Sequence, residues 1–375
     1  MKFLHTADLH IGKQLNDVSF LEDQRHILGQ IADLAEQEQV DAVLVAGDVY
    51  QKSSPPAEAM TLFNDFVTRL VRAGIQLFAI SGNHDSDQRI SYFSELIRSS
   101  GVYVSERFEG RVQSLRLSDE YGPINICMLP FLRPAQVRRF YPDERIASYQ
   151  DAMRAVLAHS PVDAQERNIL LCHQFITGAE RSDSEEASVG GLDNIDAELF
   201  DAYDYVALGH IHRPQQLLRS TLRYAGSPLK YSFSEVDHRK SVSLVNLREK
   251  GRIDVQTLPL HPLRDMRRVE GMLGEIRSLP YSEDYIALTV HDEFVPPDAK
   301  LEIAACVFPN MMKFTVENSR TKYTSDVLAS ERVERKSELE LFCDFYRMQH
   351  NDVLPSEEQL RIFEKVCEEL KEGEK

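Results

Sequence analysis

The stretch Asp41-Ala-Val-Leu-Val-Ala-Gly-Asp48-Val-Tyr50 decides how the fold is read from this sequence. Its apolar, Val-rich run is too short for a helix and is typical of a buried strand. Gly47 allows a sharp turn where the strand stops, so Asp48 follows at the carboxyl end, where α/β sheets bind ligands. A single Gly-Asp pair is more often a turn or a helix start. The same arrangement recurs along the chain, and this recurrence favours a binding site.

Four other apolar segments also end in residues that bind metals. The first strand is followed by Asp8-Leu-His10, and a later strand by Gly82-Asn-His-Asp85, the most specific short motif in the chain. Two further strands end at His173 and at Gly209-His-Ile-His212. A lone histidine on an apolar strand is usually a packed core residue. So many polar residues at strand ends instead predict one shared site.

Composition limits the classes of protein that the chain can belong to. Of its 375 residues 42% are hydrophobic and 27% charged, which is typical of a globular protein. Its five cysteines lack Cys-x-x-Cys spacing, which favours reduced thiols and a cytoplasmic location. We expect no signal peptide and no membrane span. A formal net charge of −17 repels nucleic acid, so a phosphate substrate would need metal ions or a local basic patch.

Pattern and composition predict three parts in the chain. Residues 1–262 form the main domain, in which 101–134 suggest a second and more antiparallel sheet. A boundary at Pro259-Leu-His-Pro262 precedes a small α/β domain, 263–320, with a helix predicted at 269–278. The last part, 321–375, has apolar stripes typical of short amphipathic helices. Such stripes either pack on the second domain or bind a partner.

The strand-end residues together predict a two-metal centre. They supply two carboxylates, one amide and four imidazoles, a mixed N/O set that suits Mn²⁺, Fe²⁺ or Zn²⁺. Asp48 can bridge two cations, with Asp8, His10 and a further histidine on one side. Asn83 and two histidines complete the other side. Two such cations can hold a phosphoryl group, and His84 is the natural general acid for its leaving group. The predicted reaction is hydrolysis of a phosphate ester.

The order and strand-end placement of these motifs resemble the calcineurin-like metallophosphoesterase superfamily. Within it, the chain is similar to bacterial nucleases that act in DNA-repair complexes with an SMC-like ATPase. This closer likeness lies in Phe3-Leu-His-Thr-Ala-Asp-Leu-His10, in Pro130-Phe-Leu-Arg-Pro134 and in Tyr224-Ala-Gly-Ser-Pro228.

The resemblance implies an α/β fold with a two-sheet sandwich flanked by helices, a small α/β capping domain and a helical C-terminal tail. It also implies two divalent ions, both Mn²⁺, and it assigns their ligands by motif. Asp8, His10, Asp48 and His212 would hold one ion, and Asp48, Asn83, His173 and His210 the other. His84 would contact the scissile phosphate.

The activity that the resemblance implies is cleavage of DNA. It includes single-strand endonuclease activity without ATP, and exonuclease and end processing on duplex ends and hairpins with the ATPase partner. The C-terminal segment would bind that partner. A homodimer is also implied, with 61–69 and 91–97 as candidate contacts. Archaeal and eukaryotic relatives carry a second histidine where this chain has Gln51, which puts an assisting role at that position in doubt.

Two other functions are compatible with the motifs. The first is a small-molecule phosphodiesterase or a protein phosphatase on the same dimetal centre. Protein phosphatases of this superfamily have an arginine shortly after Gly-Asp and a glutamate after Asn-His, where this chain has Tyr50-Gln-Lys-Ser53 and Asp85. The second is a non-catalytic subunit, which the complete ligand set disfavours. The DNA hypothesis requires a basic track near the metals, with the candidates Arg133, Arg138, Arg139 and Arg213.

Overall fold

The computed structural model describes residues 1–16, 18–185, 194–319, 342–343, 346, 354–356 and 358–363. The chain divides into two compact units, Met1–Arg268 with Glu283–Ala287, and Val269–Ser282 with Leu288–Lys375. The three-part division predicted at 262 and 320 remains a prediction. Its third part, 321–375, lies almost entirely outside the described residues.

The first unit contains most of the described strands and helices. Its strands are β1 (Lys2–Thr6), β2 (Gln14–Leu15), β3 (Val18–Ser19), β4 (Ala42–Ala46), β5 (Gln76–Ile80), β6 (Val102–Val104), β7 (Gln113–Asp119), β8 (Gly122–Leu129), β9 (Arg167–His173), β10 (Tyr205–Gly209), β11 (Gln215–Leu217), β12 (Arg219–Tyr224), β13 (Ser241–Leu247) and β14 (Ile253–Pro259). Its helices are α1 (Leu21–Gln37), α2 (Ala57–Arg72), α3 (Asp87–Ile90), α4 (Ser94–Ile97), α5 (Pro134–Val137) and α6 (Tyr149–Ala158). Short 3₁₀ helices cover Arg98–Ser100, Ala197–Phe200 and Phe233–Glu235.

Two six-stranded sheets organise this unit. One has the strand order β14-β13-β1-β4-β5-β6, and the other the order β11-β12-β10-β9-β8-β7. In the first sheet β1, β4, β5 and β6 run parallel, and β13 closes antiparallel on β1. In the second sheet β8, β9, β10 and β12 run parallel. The carboxyl ends of β1, β4 and β5 therefore lie at one edge of the first sheet, and those of β9 and β10 at one edge of the second.

The central strands are buried because their sequences are apolar on both faces. β4 is Ala-Val-Leu-Val-Ala, and all five residues are buried, as expected for a parallel strand covered on both sides. Side chains of both sheets form one core between them, including Phe3 and Phe78 from the first and Ile169 and Tyr205 from the second. The opposite face of the second sheet packs against α6. This layering holds the strand ends in fixed positions.

Two long helices of the first unit pack against each other. The buried stripe of α1 includes Ile27, Ile31 and Ala35. The helix α2 packs against α1. These helices return the chain from β1 to β4 and from β4 to β5, as parallel strands require.

Two local expectations are wrong. The pattern of the sequence places β6 in the second sheet, but this strand pairs in parallel with β5 in the first sheet. The second sheet is also not more antiparallel than the first, because β8, β9, β10 and β12 pair in parallel. Alternating apolar residues reveal that a segment is a strand, but they carry no information on its direction or its partner.

A third sheet has three strands in the order β15 (Met266–Gly271), β16 (Tyr285–Val290) and β17 (Met311–Val316). The helices α7 (Leu273–Ile276) and α8 (Ala299–Cys306) lie in the second unit. The helix predicted over 269–278 is therefore wrong in its first part, which belongs to β15. The helix α8 was not predicted. Among the described helices of the chain, none has the length and apolarity that crossing a bilayer demands.

Candidate metal centre

The predicted site residues lie at or just beyond the carboxyl ends of five strands, and several hold an unusual backbone conformation. Asp8, His10, Asp48 and His210 have φ values of 52°, 44°, 49° and 98°. Residues other than glycine rarely adopt this left-handed region, and the conformation costs roughly 1–3 kcal/mol per residue. The surrounding sheets must therefore impose these conformations. They turn each side chain out of its strand and towards the others.

Two glycines allow the close packing on which the site depends. Gly47 has φ 89°, and a β-carbon there would lie 2.2 Å from His173 Nδ1. At Gly209 a β-carbon would lie 1.8 Å from the Ala46 carbonyl oxygen. Neither neighbour can move aside, because each is fixed by a central strand. The Gly-Asp and Gly-His motifs thus need glycine for space.

Asn83, His173 and His210, here called the Asn83 cluster, come together as predicted. The Asn83 Oδ1 atom lies 3.1 Å from His173 Nε2 and 3.1 Å from His210 Nδ1. His173 donates its Nδ1 hydrogen to the Ala46 carbonyl oxygen at 2.8 Å, which leaves Nε2 for a ligand. The Phe131 ring stacks on His210 with a centroid distance of 6.2 Å and closes one side of the cluster.

Asp8, His10 and His212, here called the Asp8 cluster, form the other half of the site. The Nε2 atoms of His10 and His212 face each other at 3.1 Å. The Asp8 carboxylate accepts the backbone N–H of His210 at 3.0 Å. Potential ligand atoms of all three residues lie within 4.8 Å of one another.

Asp48 lies between the two clusters. Its Oδ2 atom is 3.5 Å from His173 Nε2 in the Asn83 cluster and 3.6 Å from His10 Nε2 in the Asp8 cluster. Its Oδ1 atom accepts the backbone N–H of His84 at 2.9 Å. This position is the one expected of a carboxylate shared by two cations.

The donor atoms fit divalent cations. Because a carbonyl can only accept, His173 Nδ1 carries hydrogen, and its Nε2 then faces the Asn83 and Asp48 oxygens, which are also acceptors. Three acceptor atoms that face one another in this way repel unless a proton or a cation lies between them. Burial opposes a charge on His173, but the Asp48 carboxylate outweighs it and raises the pKa of His173 to about 9. In the ion-free chain a proton thus takes the cation's place.

Burial explains three further pKa shifts in the site. It raises the pKa of the Asp8 carboxyl to about 7, because a charged carboxylate loses its hydration there. It also lowers the pKa of His210 to about 3 and that of His10 well below its usual value. Metal ions bind neutral imidazoles and charged carboxylates. Burial favours the neutral imidazoles, and a buried carboxylate needs a positive neighbour, which a metal ion would be.

His84 lies outside the two clusters and is accessible. Its side chain is 25% exposed, and its Nε2 lies 4.0 Å from Asp48 Oδ2. Its Nδ1 donates to the backbone carbonyl of Gln51 at 3.1 Å, which fixes the ring and turns Nε2 towards the site. Gln51 therefore supports His84 through its main chain, whatever side chain stands there.

Sequence analysis assigned no separate role to Asp85, the last residue of the Gly-Asn-His-Asp motif. Its carboxylate accepts the backbone N–H groups of Val49, Tyr50 and Gly82 at 2.9–3.0 Å. It thereby ties the loop after β4 to the loop after β5. Burial and the nearby Asp48 charge raise the pKa of Asp85 to about 7.

A group of buried side chains around the Asp8 cluster is not predicted by the motifs. Gln24 of α1 donates to the His10 carbonyl at 2.7 Å, and Tyr231 donates to the Leu9 carbonyl at 2.5 Å. Glu235 and Lys240 lie behind His212. These residues are far from any of the motifs. The one signal in the sequence is an acid and a base five positions apart, Glu235 and Lys240. Such a pair is common and does not indicate a buried site.

The basic track near the metals stays a prediction. Arg133 lies over the Phe131 ring, 5.3 Å from its centroid, and so close to the Asn83 cluster. Arg213 pairs with Glu180, and Arg138 donates to the Ile146 carbonyl. Lys13 lies over the Tyr231 ring at 5.9 Å, next to the Asp8 cluster. Arg133 and Lys13 are thus two cations that lie beside the clusters.

Comparison with known families agrees with this geometry. Residues 1–214 match the family described as calcineurin-like phosphoesterase, which confirms the predicted fold class. Residues 262–350 match a second family, described as the type 5 capsule protein repressor C-terminal domain.

Curated relatives cover the whole chain. A protein of Staphylococcus epidermidis, named as the D subunit of the nuclease SbcCD, is 36% identical over 280 residues, which are 74% of each chain. A protein of Staphylococcus saprophyticus with the same name is 30% identical across the full length of both chains.

Solved structures are more distant. A dimetal phosphatase from Danio rerio covers 69% of this chain and 99% of its own, with 11% identity and a TM-score of 0.39. A Thermus thermophilus protein, TT1561, covers 68% of this chain and 98% of its own, with 12% identity and a TM-score of 0.39.

Proposed function

The chain belongs to the calcineurin-like phosphoesterase family, in the SbcD group of nucleases, and we propose that it is a metal-dependent nuclease. The observation that carries the proposal is the position of Asp48 between the two clusters, with the partly exposed His84 beside it. The relatives are named as nucleases, which supports a nucleic acid as the substrate class, and we propose DNA.

We assign Asp8, His10, Asp48 and His212 to one ion, and Asp48, Asn83, His173 and His210 to the other. Mixed oxygen and nitrogen ligands suit Mn²⁺, which is our proposal for both ions. When bound, a pair of divalent ions supplies positive charge for the phosphoryl group and a nucleophile at neutral pH.

His84 acts on the leaving oxygen in this mechanism. Its Nδ1 hydrogen is held by the Gln51 carbonyl, so a second proton on Nε2 points into the site. The Asp48 Oδ2 atom lies 4.0 Å from this nitrogen. The partial exposure of His84 lets a polymer backbone reach it. Proton donation by a positioned histidine contributes roughly 10²–10⁴-fold to the rate.

We further propose that the chain cuts single-stranded DNA alone and processes duplex ends and hairpins with an SbcC-like, SMC-type ATPase. The relatives are named as one component of the nuclease SbcCD, and this supports an assembly with such a partner. The segment 321–375 is its proposed binding region. A homodimer through 91–97 is supported by the exposed apolar side chains of Tyr92, Phe93 and Leu96. A cytoplasmic location remains a prediction.

The first test is cleavage of circular single-stranded DNA by the purified chain with Mn²⁺. We expect the wild type to cut and His84→Gln to lose about 10²–10⁴-fold in rate with unchanged metal content. Metal analysis of both proteins is the control. Hydrolysis of bis-(p-nitrophenyl) phosphate without any DNA cleavage, with or without the ATPase partner, would instead leave a small-molecule phosphodiesterase on the same centre.

A further inference from the structure

His212 is held at each of its other polar atoms so that Nε2 faces the Asp8 cluster. Its backbone N–H donates to Glu185 Oε1 at 2.7 Å, and its carbonyl accepts from Lys240 Nζ at 2.8 Å. Its Nδ1 lies 3.1 Å from Glu235 Oε1. The Nε2 atom is left facing His10 Nε2 at 3.1 Å.

Glu235 and Lys240 form a buried ion pair behind this histidine. The Glu235 side chain is fully buried, and its Oε2 accepts from Lys240 Nζ at 2.6 Å. Lys240 also donates to Ser227 Oγ at 2.8 Å. An ion pair at this depth costs desolvation energy and is weak evidence for stability alone, so its placement calls for another explanation.

The pair decides which nitrogen of His212 carries the hydrogen. A carboxylate can only accept, so Nδ1 must donate, and the lone pair is then on Nε2. Ser184 Oγ also lies 3.1 Å from Nδ1, but a hydroxyl can donate or accept and fixes neither form. Carboxylates behind a histidine ligand also raise its basicity towards the metal.

We propose that Glu235, held by Lys240, is a positioning residue that fixes the tautomer and orientation of His212 and thereby sets the ion affinity of the Asp8 cluster. This inference rests on the proposed function, because it needs the ions that the function requires. It goes beyond that function because it assigns the two proposed ion sites different acceptors behind their histidines. The Asn83 cluster uses the neutral Ala46 carbonyl for His173 where the Asp8 cluster uses a carboxylate.

The substitution Glu235→Gln tests the proposal sharply because glutamine has one oxygen. Lys240 can only donate and takes that oxygen, so the amide NH₂ group turns towards His212 Nδ1. The hydrogen of His212 is then forced onto Nε2, which blocks the metal ligand. In the double variant Glu235→Gln/Lys240→Met the lysine no longer competes, and the glutamine oxygen can accept from Nδ1 again.

The matched control is Asp204→Asn. Asp204 is another acid with a buried side chain, and it pairs with Lys250 Nζ at 2.8 Å in the same unit. The control makes the same carboxylate-to-amide change away from both clusters. Melting curves of the ion-free proteins show whether each variant folds.

The experiment is calorimetric titration of Mn²⁺ into the full ion-free chain. We expect two binding steps in the wild type and in the control. Glu235→Gln should weaken one step by about 10–100-fold and leave the other unchanged, and the double variant should recover part of that loss. Nitrogen NMR of ¹⁵N-labelled histidine should show the tautomer change without any activity assay.

Wild-type affinity for both ions in a folded Glu235→Gln variant would overturn the inference and leave the proposed function standing. A double variant in which the NMR spectrum still shows the His212 hydrogen on Nε2 would also overturn it, since the glutamine oxygen, free of Lys240, would then not set the tautomer. A wild type that binds no Mn²⁺ at all would instead contradict the proposed function.

Discussion

The Asn83 cluster and the Asp8 cluster hold similar side chains in place by different means. The Asn83 cluster is held by the main chain, through the Ala46 carbonyl and through strand-end glycines that allow close approach. The Asp8 cluster is held by side chains that come from distant segments, including Gln24, Tyr231 and Glu235. One half of the site is thus part of the sheet, and the other half is a buried polar network.

This difference predicts how each half fails. A main-chain scaffold tolerates changes in neighbouring side chains but no added atom where strands approach closely. A polar network tolerates small movements of the backbone but loses its function when one partner is removed, because the remaining groups stay buried without hydrogen bonds. Substitutions at the shared residue, in the scaffold and far from both clusters separate these effects.

The largest effect should follow Asp48→Asn, because Asp48 faces both clusters. Losing a shared negative charge should weaken both ions, and we expect DNA cleavage to fall by at least about 10³-fold, several kcal/mol of transition-state stabilisation. Metal analysis should show both sites depleted. If one ion bound normally, Asp48 would belong to a single cluster, and the comparison of two linked halves would be wrong.

A smaller and one-sided effect should follow Gly209→Ala. The added β-carbon would meet the Ala46 carbonyl oxygen, the acceptor that orients His173. We expect the free energy of unfolding to fall by about 1–3 kcal/mol and the Asn83 cluster to lose affinity for its ion. Urea unfolding and Mn²⁺ titration measure the two effects.

The matched control for this substitution is Gly29→Ala in α1, where an added β-carbon meets nothing within 4 Å. It should leave ion binding unchanged and stabilise the helix by roughly 0.5–1 kcal/mol. Equal losses of stability in both variants would show that the close approach at Gly209 does not matter.

The smallest effect on ion binding should follow Asp119→Asn, far from both clusters. Asp119 accepts from the buried Arg167 and from the amino terminus of the chain. Partial burial opposes ionisation, but these two cations outweigh it and hold the pKa of Asp119 well below its usual range. We expect unchanged Mn²⁺ affinity and a loss of about 1–3 kcal/mol in unfolding free energy at pH 7.

The pH dependence of that loss follows from the sign of the shift. A depressed pKa stabilises the fold above the unfolded value of about 3.9, and this contribution disappears as the pH falls further. Urea midpoints of wild type and Asp119→Asn should therefore differ by a constant amount from pH 7 to about pH 4 and draw together as the pH falls further, towards the depressed native pKa. A difference that stays constant below about pH 4 would exclude the ionised Asp119 as its source.

The two halves also explain what the sequence could predict. Asn83, His173 and His210 lie in or beside short motifs, because a strand end and a glycine are local features. The sequence also points to Asp8, His10 and His212 as candidate ligands, since they follow strands in the same way. Their supporting residues were not predicted, because Gln24, Tyr231 and Glu235 reach the site from segments with no common pattern.

The fold shows the same limit. The buried strands β4, β5, β9 and β10 were predicted because apolar runs at a strand end are local signals. The pairing of β6 with β5 was not, because pairing depends on how distant segments meet in the folded sheet. The helix α8 was missed since its apolar residues do not form a clear stripe, as its sequence Ala-Lys-Leu-Glu-Ile-Ala-Ala-Cys shows.

The antiparallel closure of β13 on β1 has a consequence for protein synthesis. The chain begins with β1, which needs β13 as its neighbour in the sheet, and His212 needs Lys240, the residue just before β13. Domains fold as units while the ribosome adds residues at a limited rate. The Asp8 cluster therefore cannot be complete on a nascent chain until residues beyond β13 have emerged. A ribosome-bound fragment ending before Lys240 would carry every proposed ligand and still lack a finished site.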